Sequence, residues 1–349
     1  MFFNISNMAK FLLSLNLAVR EGLVIAMDEF SFIDTIKQSI YKQSTLLKGI
    51  GDDAAVFDSY EQEIVISKDM FVENVHFAKH TMKSYHIGYK ALAANLSDMA
   101  AMGAKPAFYL VAISIPRDWE MTEVHSIFQG MRDLADLFNM DLIGGDTVSG
   151  KELVISITVI GYGEKDRIRY RSLAQKGDIV FVTGFLGDSQ AGLYILNHPG
   201  NYKERSYFIN KHQMPFPRVD FALGLESLLR VSLNDISDGI ASEANEIAEA
   251  SNVTLVLEEA NIPVHPAFDQ FNPKLQYNWK MFGGEDFELM GTVPKKDWDK
   301  LLLIAERNNV QVTPIGYVTS KQELGYVLID NGSNKMERLD KTGYNHLSR

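Results

Sequence analysis

The sequence predicts two α/β domains in tandem, on three observations. β-Branched and aromatic runs alternate with stretches of helical periodicity along most of the chain. The alternation stops in an arginine-rich segment at 163–176 and resumes at Asp178. The 349 residues, 46% of them hydrophobic, also exceed what one core of ordinary size encloses.

The elements follow in chain order. Residues 11–19 are apolar but interrupted by Ser14 and Asn16 and closed by Arg20 and Glu21, too short for a membrane span. No small-residue cleavage site follows, so 1–27 reads as a dispensable extension that does not conform to the rest. Met27 opens an amphipathic start with Phe30, Ile33 and Ile36 about one helical turn apart. A first domain is expected over 28–164, with strands at 63–66, 107–115 and 153–160. Its helices are an apolar one around 90–102 and an amphipathic one over 121–138. The second aligns Val124, Ile127, Phe128, Met131, Leu134, Ala135 and Phe138 on one stripe, with Thr122 as the N-cap. A second domain, 165–349, is expected to hold a strand at 178–183 and a turn and helix at 184–196. A polar connection through Lys211, helices at 219–229 and 240–250, and strands at 254–257, 287–293 and 326–329 complete it.

Composition removes several function classes. With no cysteine, disulfides, thiolate zinc sites and cysteine nucleophiles are excluded. The eight histidines show no His-x-x-x-His pairing, which disfavours zinc further. Forty-five acidic against 34 basic residues give a net charge of -11, so neither a nucleic acid nor a membrane is an expected partner, and the cytoplasm is the default compartment.

The acids carry the chemistry. Gly49-Ile-Gly51-Asp52-Asp53-Ala54 formally fits a dinucleotide fingerprint, but two carboxylates sit where the pyrophosphate would lie, and acids beside phosphate require a cation between them. An isolated Gly-Asp pair is more often a turn. Recurrence shifts the balance, because Asp69, Asp98, Asp146, Asp235 and Asp238 each interrupt apolar sequence. Asn95 and Asp98, three apart, share a face of a charge-poor helix where an unpaired carboxylate is costly. Scattered aspartates of this kind suit Mg²⁺, which bridges carboxylates to substrate phosphates. Taken alone, Leu142-Ile-Gly-Gly-Asp-Thr147 suits a strand-to-turn junction as well as a nucleotide loop whose glycines admit phosphate, and Phe282-Gly-Gly-Glu-Asp-Phe-Glu288 suits a hairpin entry. No P-loop and no protein-kinase signature is present.

Taken together and in order, the blocks at 49–56, 95–104, 142–147, 236–239 and 283–289 resemble those of thiamine-monophosphate kinases. The resemblance runs from about Asp28 to Tyr344. It implies the two-domain α/β (α+β) fold of the aminoimidazole ribonucleotide synthetase-like enzymes. In that fold the N-terminal domain binds ATP and Mg²⁺, its strands build a shared barrel in a homodimer, and the active site lies between the domains. The implied reaction is direct in-line transfer of the ATP γ-phosphoryl group to thiamine monophosphate, giving thiamine diphosphate and ADP. Several Mg²⁺ ions take part, and no residue acts as a covalent nucleophile.

By matching position, the resemblance puts metal contacts at Asp53, Ser67, Lys68, Asp69, Asp98, Asp146, Asp235 and Asp238. ATP contacts fall at Gly145, Asp146, Arg171 and Ser237, and substrate contacts at His76, Glu285 and Tyr344. In 167–171 a solvated charged loop is as good a reading of Arg171. Two positions depart from the family pattern: Lys68 stands where Thr or Ser is usual, and Asn74 where a small residue or glycine is usual. Selenophosphate synthetase and the hydrogenase-maturation relative are disfavoured by the missing cysteine. Another ATP-dependent enzyme of the superfamily, or a metal-dependent phosphatase, stays open.

Overall fold

The computed structural model describes residues 46–48, 52–59, 61–321, 325–333 and 335–344. The extension at 1–27 and the expected start through Phe30, Ile33 and Ile36 lie outside them.

The first half builds β1 (Leu46–Lys48), β2 (Ala55–Asp58), β3 (Gln62–Val72), α1 (Ser84–Ala101), β4 (Lys105–Ile115), α2 (Met121–Leu137), β5 (Asp141–Ser149) and β6 (Val154–Glu164). These strands form one sheet in the order β1-β2-β3-β6-β4-β5, with β4–β5 its only parallel pair among the described residues. The two-residue period of the pleat sorts the side chains. Along β6 burial alternates strictly, and Val65, Ser67, Tyr109, Val111, Ile155 and Ile157 are buried on the odd-numbered face. The even-numbered face leaves Ile64, Ile66, Phe108, Leu110 and Ile160 partly exposed and Met70 more than half so.

Helix α1 is rich in alanine and leucine, and from Ile87 to Ala101 every residue except Asp98 is buried. Two glycines let α1 and α2 approach backbone to backbone. A Cβ on Gly88 would lie 1.8 Å from the Ile127 carbonyl oxygen, and one on Gly130 2.0 Å from that of Tyr85. The N-cap of α2 is Glu120 rather than the expected Thr122. The Glu120 and Glu123 side chains satisfy each other's backbone N–H groups in a capping box, which one hydroxyl two residues further on could not do.

The second half comprises β7 (Asp178–Thr183), α3 (Asp188–Asn197), α4 (Arg205–Gln213), α5 (Val219–Gly224), β8 (Ser232–Asp235), α6 (Ile240–Ser251), β9 (Val253–Glu258), α7 (Pro273–Phe282), β10 (Leu289–Pro294), α8 (Trp298–Arg307), β11 (Val312–Lys321), β12 (Tyr326–Asp330) and β13 (Met336–Leu339). Its sheet runs β13-β12-β9-β11-β7-β10-β8 and is antiparallel apart from β9–β12. The stretch expected as a polar connection contains α4. Phe208 folds it by inserting among Phe268, Phe271 and Trp279 in an aromatic cluster, a tertiary cause with no local signal. The helix expected over 219–229 ends at Gly224 and continues as a 3-10 turn, Leu225–Ser227.

The arginine-rich connection is not a solvated linker. Arg169 is 1% exposed, and its Nη2 donates to the carbonyls of Leu225 at 2.6 Å and Leu228 at 2.9 Å. One apolar cluster runs from Val65, Leu92 and Ile157 to Phe181, Leu233 and Leu289, so the two sheets share a core. All described residues fall in a single compact unit. Among them no helix is long and apolar enough to cross a membrane.

Candidate active site

Three aspartates from distant parts of the chain meet where the sheets adjoin. Asp53 lies in the turn before β2. Because β2 pairs with β3 at Ala55↔Ile66, Asp53 is carried to the level of the Ser67–Asp69 stretch in the middle of β3. Asp98 is the one position of the buried stretch of α1 that stays partly open. Asp235 ends β8. One carboxylate oxygen from each of Asp53, Asp98 and Asp235 lies within 4.8 Å of the others. Burial, and then the neighbouring acids, push Asp98 well above the usual carboxylate range; Asp69, Asp235 and Asp53 all contribute. Burial does the same for Asp53, against the pull of Arg171. It raises Asp235 to about 6, against the Ser97 hydroxyl, which donates to its Oδ2 at 2.6 Å. Asp53 Oδ2 is buried without a hydrogen-bond partner. Carboxylates this close and this dry either take up protons or share a cation, and an all-oxygen donor set suits a hard divalent ion.

A cation and two motif loops border the cluster. The Arg171 guanidinium lies 2.7 Å from Asp53 and 3.0 Å from Glu246, and its Nε donates to Asn234 Oδ1 at 3.1 Å. Ser232 and Ser251 donate to its carbonyl at 3.0 and 2.7 Å, which pins the residue from both sides. The β8–β10 pairing, Leu289↔Asp235, continues beyond both strands: Phe287 N donates to Ile236 O at 3.0 Å and Glu285 N to Ser237 O at 2.7 Å. Sheet register therefore lays 236–239 against 283–289. Tyr344 N donates to Asp238 O at 3.3 Å, which brings the C-terminal segment to the same turn.

The family model described as AIR synthase related protein, N-terminal domain, matches residues 51–162, and its C-terminal counterpart matches 175–329. The thiamine-monophosphate kinase of Bacillus subtilis (strain 168) is 46% identical over 330 residues, covering 92% of this chain and 99% of that protein. The chain belongs to the thiamine-monophosphate kinase family. A solved structure of AaThiL complexed with AMPPCP and TMP superposes with a TM-score of 0.79 at 28% identity, covering 93% of this chain and 98% of that one. The thiamine-monophosphate kinase of Stenotrophomonas maltophilia K279a gives 0.72 at 31% identity, covering 86% of this chain and 96% of that one.

The positions taken from the family's motifs distribute unevenly. Asp53, Asp98 and Asp235 form the cluster, and Asp69 and Asp238 add negative charge to it. Ser67 is buried on the same face of β3 and donates to the Asn95 carbonyl at 3.2 Å. Lys68 does not face the cluster. The pleat turns its exposed side chain to the opposite face, where it donates to Ser156, so its ammonium does not intrude on the acids and its side chain is no ligand there. Asp146 and Gly145 lie on the exposed edge strand β5, three strands from Asp69 and thus roughly 14 Å away at the usual ~4.8 Å spacing. The segment 142–147 is strand, neither junction nor loop. Gly145 is needed because a Cβ there would lie 1.9 Å from the Val111 carbonyl oxygen. His76, in the turn after β3, accepts from Val72 N through Nδ1 at 3.1 Å. Ser97, Asn234, Glu243 and Glu246 border the site and were not singled out in the sequence. Ser97 is adjacent to Asp98 in Asn-Leu-Ser-Asp, a signal that could have marked it.

Proposed function

We infer that the protein transfers the γ-phosphoryl group of ATP to thiamine monophosphate, giving thiamine diphosphate and ADP. The observation that carries the reading is the Asp53–Asp98–Asp235 cluster, assembled from two of the family's motif blocks and the residue just before a third, and bordered by the loops of Glu285 and Tyr344. The relative whose structure holds both AMPPCP and TMP supports the same pair of substrates here. The attacking atom is an oxygen of the acceptor's phosphate, already ionised near neutral pH, so no side chain has to remove a proton or form a covalent intermediate. Positioning and charge neutralisation remain as the task of the site.

We propose Mg²⁺ as the ion, held by Asp53, Asp98 and Asp235 with Asp69 and Asp238 around them. When bound it would neutralise repulsion between the two phosphate-bearing substrates. The orphaned Asp53 oxygen and the all-oxygen donor set fit it. Arg171 orients Asp53, and its guanidinium would exchange these partners to fork onto a phosphate. Ser237 is assigned to ATP, and His76, Glu285 and Tyr344 to thiamine monophosphate, by motif position. We read 28–164 as the ATP/Mg²⁺-binding and dimerisation domain, 165–349 as the C-terminal domain, and the protein as a cytoplasmic homodimer. The even-numbered sheet face, with Met70 and Val148 each 54% exposed, is apolar enough for a second copy to pack against. Asp146 and Gly145 sit on that sheet's edge, so any part they take in the site is played from the far edge of the sheet.

The deciding assay supplies purified protein with ATP, Mg²⁺ and thiamine monophosphate and follows ADP and thiamine diphosphate. ADP formation must require thiamine monophosphate. ATP hydrolysis indifferent to it would overturn the kinase assignment and favour the phosphatase reading.

A further inference from the structure

Helix α1 carries a second polar contact that the phosphoryl-transfer chemistry leaves unexplained. Lys90 precedes Ser97 by seven residues, two helical turns, and so shares its face. Its side chain is wholly buried, and its ammonium donates to Glu285 Oε2 at 2.9 Å and to His212 Nδ1 at 3.4 Å. An ammonium can only donate, and Ser189 Oγ lies 3.2 Å from the same His212 nitrogen. Nδ1 is therefore the acceptor and the ring proton lies on Nε2, which is buried with no partner. Burial, and then Lys90, hold His212 well below the usual imidazole range, so the ring is neutral and adds no charge.

A buried ammonium is costly unless a carboxylate answers it, and among the described residues Glu285 alone pairs with Lys90. Glu285 is itself constrained: its φ of 67° lies in the left-handed region, which a non-glycine residue keeps only when its surroundings enforce it. Its side chain remains 24% exposed, so the carboxylate bridges the buried ammonium and the outside. One face of α1 thus grips the Glu285 loop through Lys90 and the acid cluster through Ser97 and Asp235. Seven residues of helix set these two grips about 10 Å apart.

We propose that Lys90, backed by His212, is a positioning residue for the acceptor substrate: it fixes the Glu285 carboxylate at a set distance along α1 from the Asp53–Asp98–Asp235 cluster. This rests on the reading of Glu285 as a contact to thiamine monophosphate. Lys90 acts through Glu285, so its loss is felt in acceptor binding and not in ATP binding.

The test is a double-mutant cycle in steady-state kinetics on the full chain, with Lys90→Met, Glu285→Gln and both together. Each single variant is expected to raise KM for thiamine monophosphate about tenfold or more while KM for ATP stays within about twofold. The double variant is expected to be no worse than the poorer single, within about twofold, because both remove one interaction. A double variant whose KM multiplies the single effects, a Lys90→Met KM equal to wild type, or equal rises for both substrates would each overturn the proposal. If methionine at this position prevents folding, Lys90→Gln carries the same cycle, read by calorimetric titration with thiamine monophosphate. Wild-type protein inert toward thiamine monophosphate would sink the functional reading itself. Wild-type KM in Glu285→Gln would remove the substrate contact and this inference with it, and wild-type KM in Lys90→Met alone would remove only this inference.

Discussion

Individual side chains in this protein are distinguished by how much charge they carry into dry surroundings. Asp98 is the sharpest case, a carboxylate at the one gap in a buried helix face, with Asp69, Asp235 and Asp53 all opposing its ionisation. Asp98→Asn is expected to lower kcat by roughly 10²–10⁴-fold, as loss of a metal bridge does, while the melting temperature of the metal-free protein stays level or rises because a like charge is gone. Wild-type turnover would return Asp98 to a structural role. Asp188 offers a pH test away from the cluster. Burial raises it to about 7, against its hydrogen bond from Tyr207 and the charge of Lys211. The folded protein then holds a proton that the unfolded chain releases near 4, so the contribution of Asp188 to stability is lost as pH rises from about 4 to about 7. Asp188→Asn imitates the protonated form. Its melting temperature should match wild type near pH 4 and exceed it by a few degrees at pH 8, as scanning calorimetry across that range would measure.

At the scale of elements, α1 joins the two halves of the site. Its apolar residues pack on the odd-numbered face of the first sheet, while Lys90, Ser97 and Asp98 reach Glu285, Asp235 and the cluster. Ser97→Ala removes the donor that holds Asp235, a hydrogen bond to a charged group that contributes about 1–3 kcal/mol. Equilibrium urea unfolding should show a loss of that order, with kcat reduced several-fold and KM for thiamine monophosphate little changed. Unaltered stability and kcat would mean that Asp235 is oriented by its other neighbours. The β8–β10 pairing has a comparable role, since its continuation as hydrogen bonds through Ile236 and Ser237 aligns two loops that are 46 residues apart from Ser237 at one side to Gly283 at the other.

For the whole molecule, the decisive feature is a six-stranded sheet with α1 packed on one face of its central strands and the other face apolar and partly exposed. Met70 at 54% exposure stands on that outward face of β3. If two copies pair through it, Met70→Glu should shift the protein from dimer to monomer in analytical ultracentrifugation while the far-ultraviolet circular dichroism stays unchanged. A Met70→Glu protein that sediments like wild type would place the contact elsewhere.

The sequence by itself determined the chemistry and its order along the chain. Acids set in apolar segments must be answered by a proton, a donor or a cation whatever the fold, and strand 178–183 and helix 240–250 were legible because their periodicity is local. The orientation of Lys68 was legible in principle. It became visible only once β3 was known to run through Lys68 and Asp69 to Val72, carried across those charges by continuous pairing with β6. Helix α4 and strand β11 lacked a local signal because their partners lie far away in sequence. Tertiary structure alone decided which acids meet. Asp53, Asp98 and Asp235 converge because sheet register and one buried helix bring three distant segments to one point, whereas Asp146, of the same chemical kind, is left on an edge strand. Composition and spacing specify what a carboxylate can bind; only long-range pairing specifies which of its fellows stands within reach.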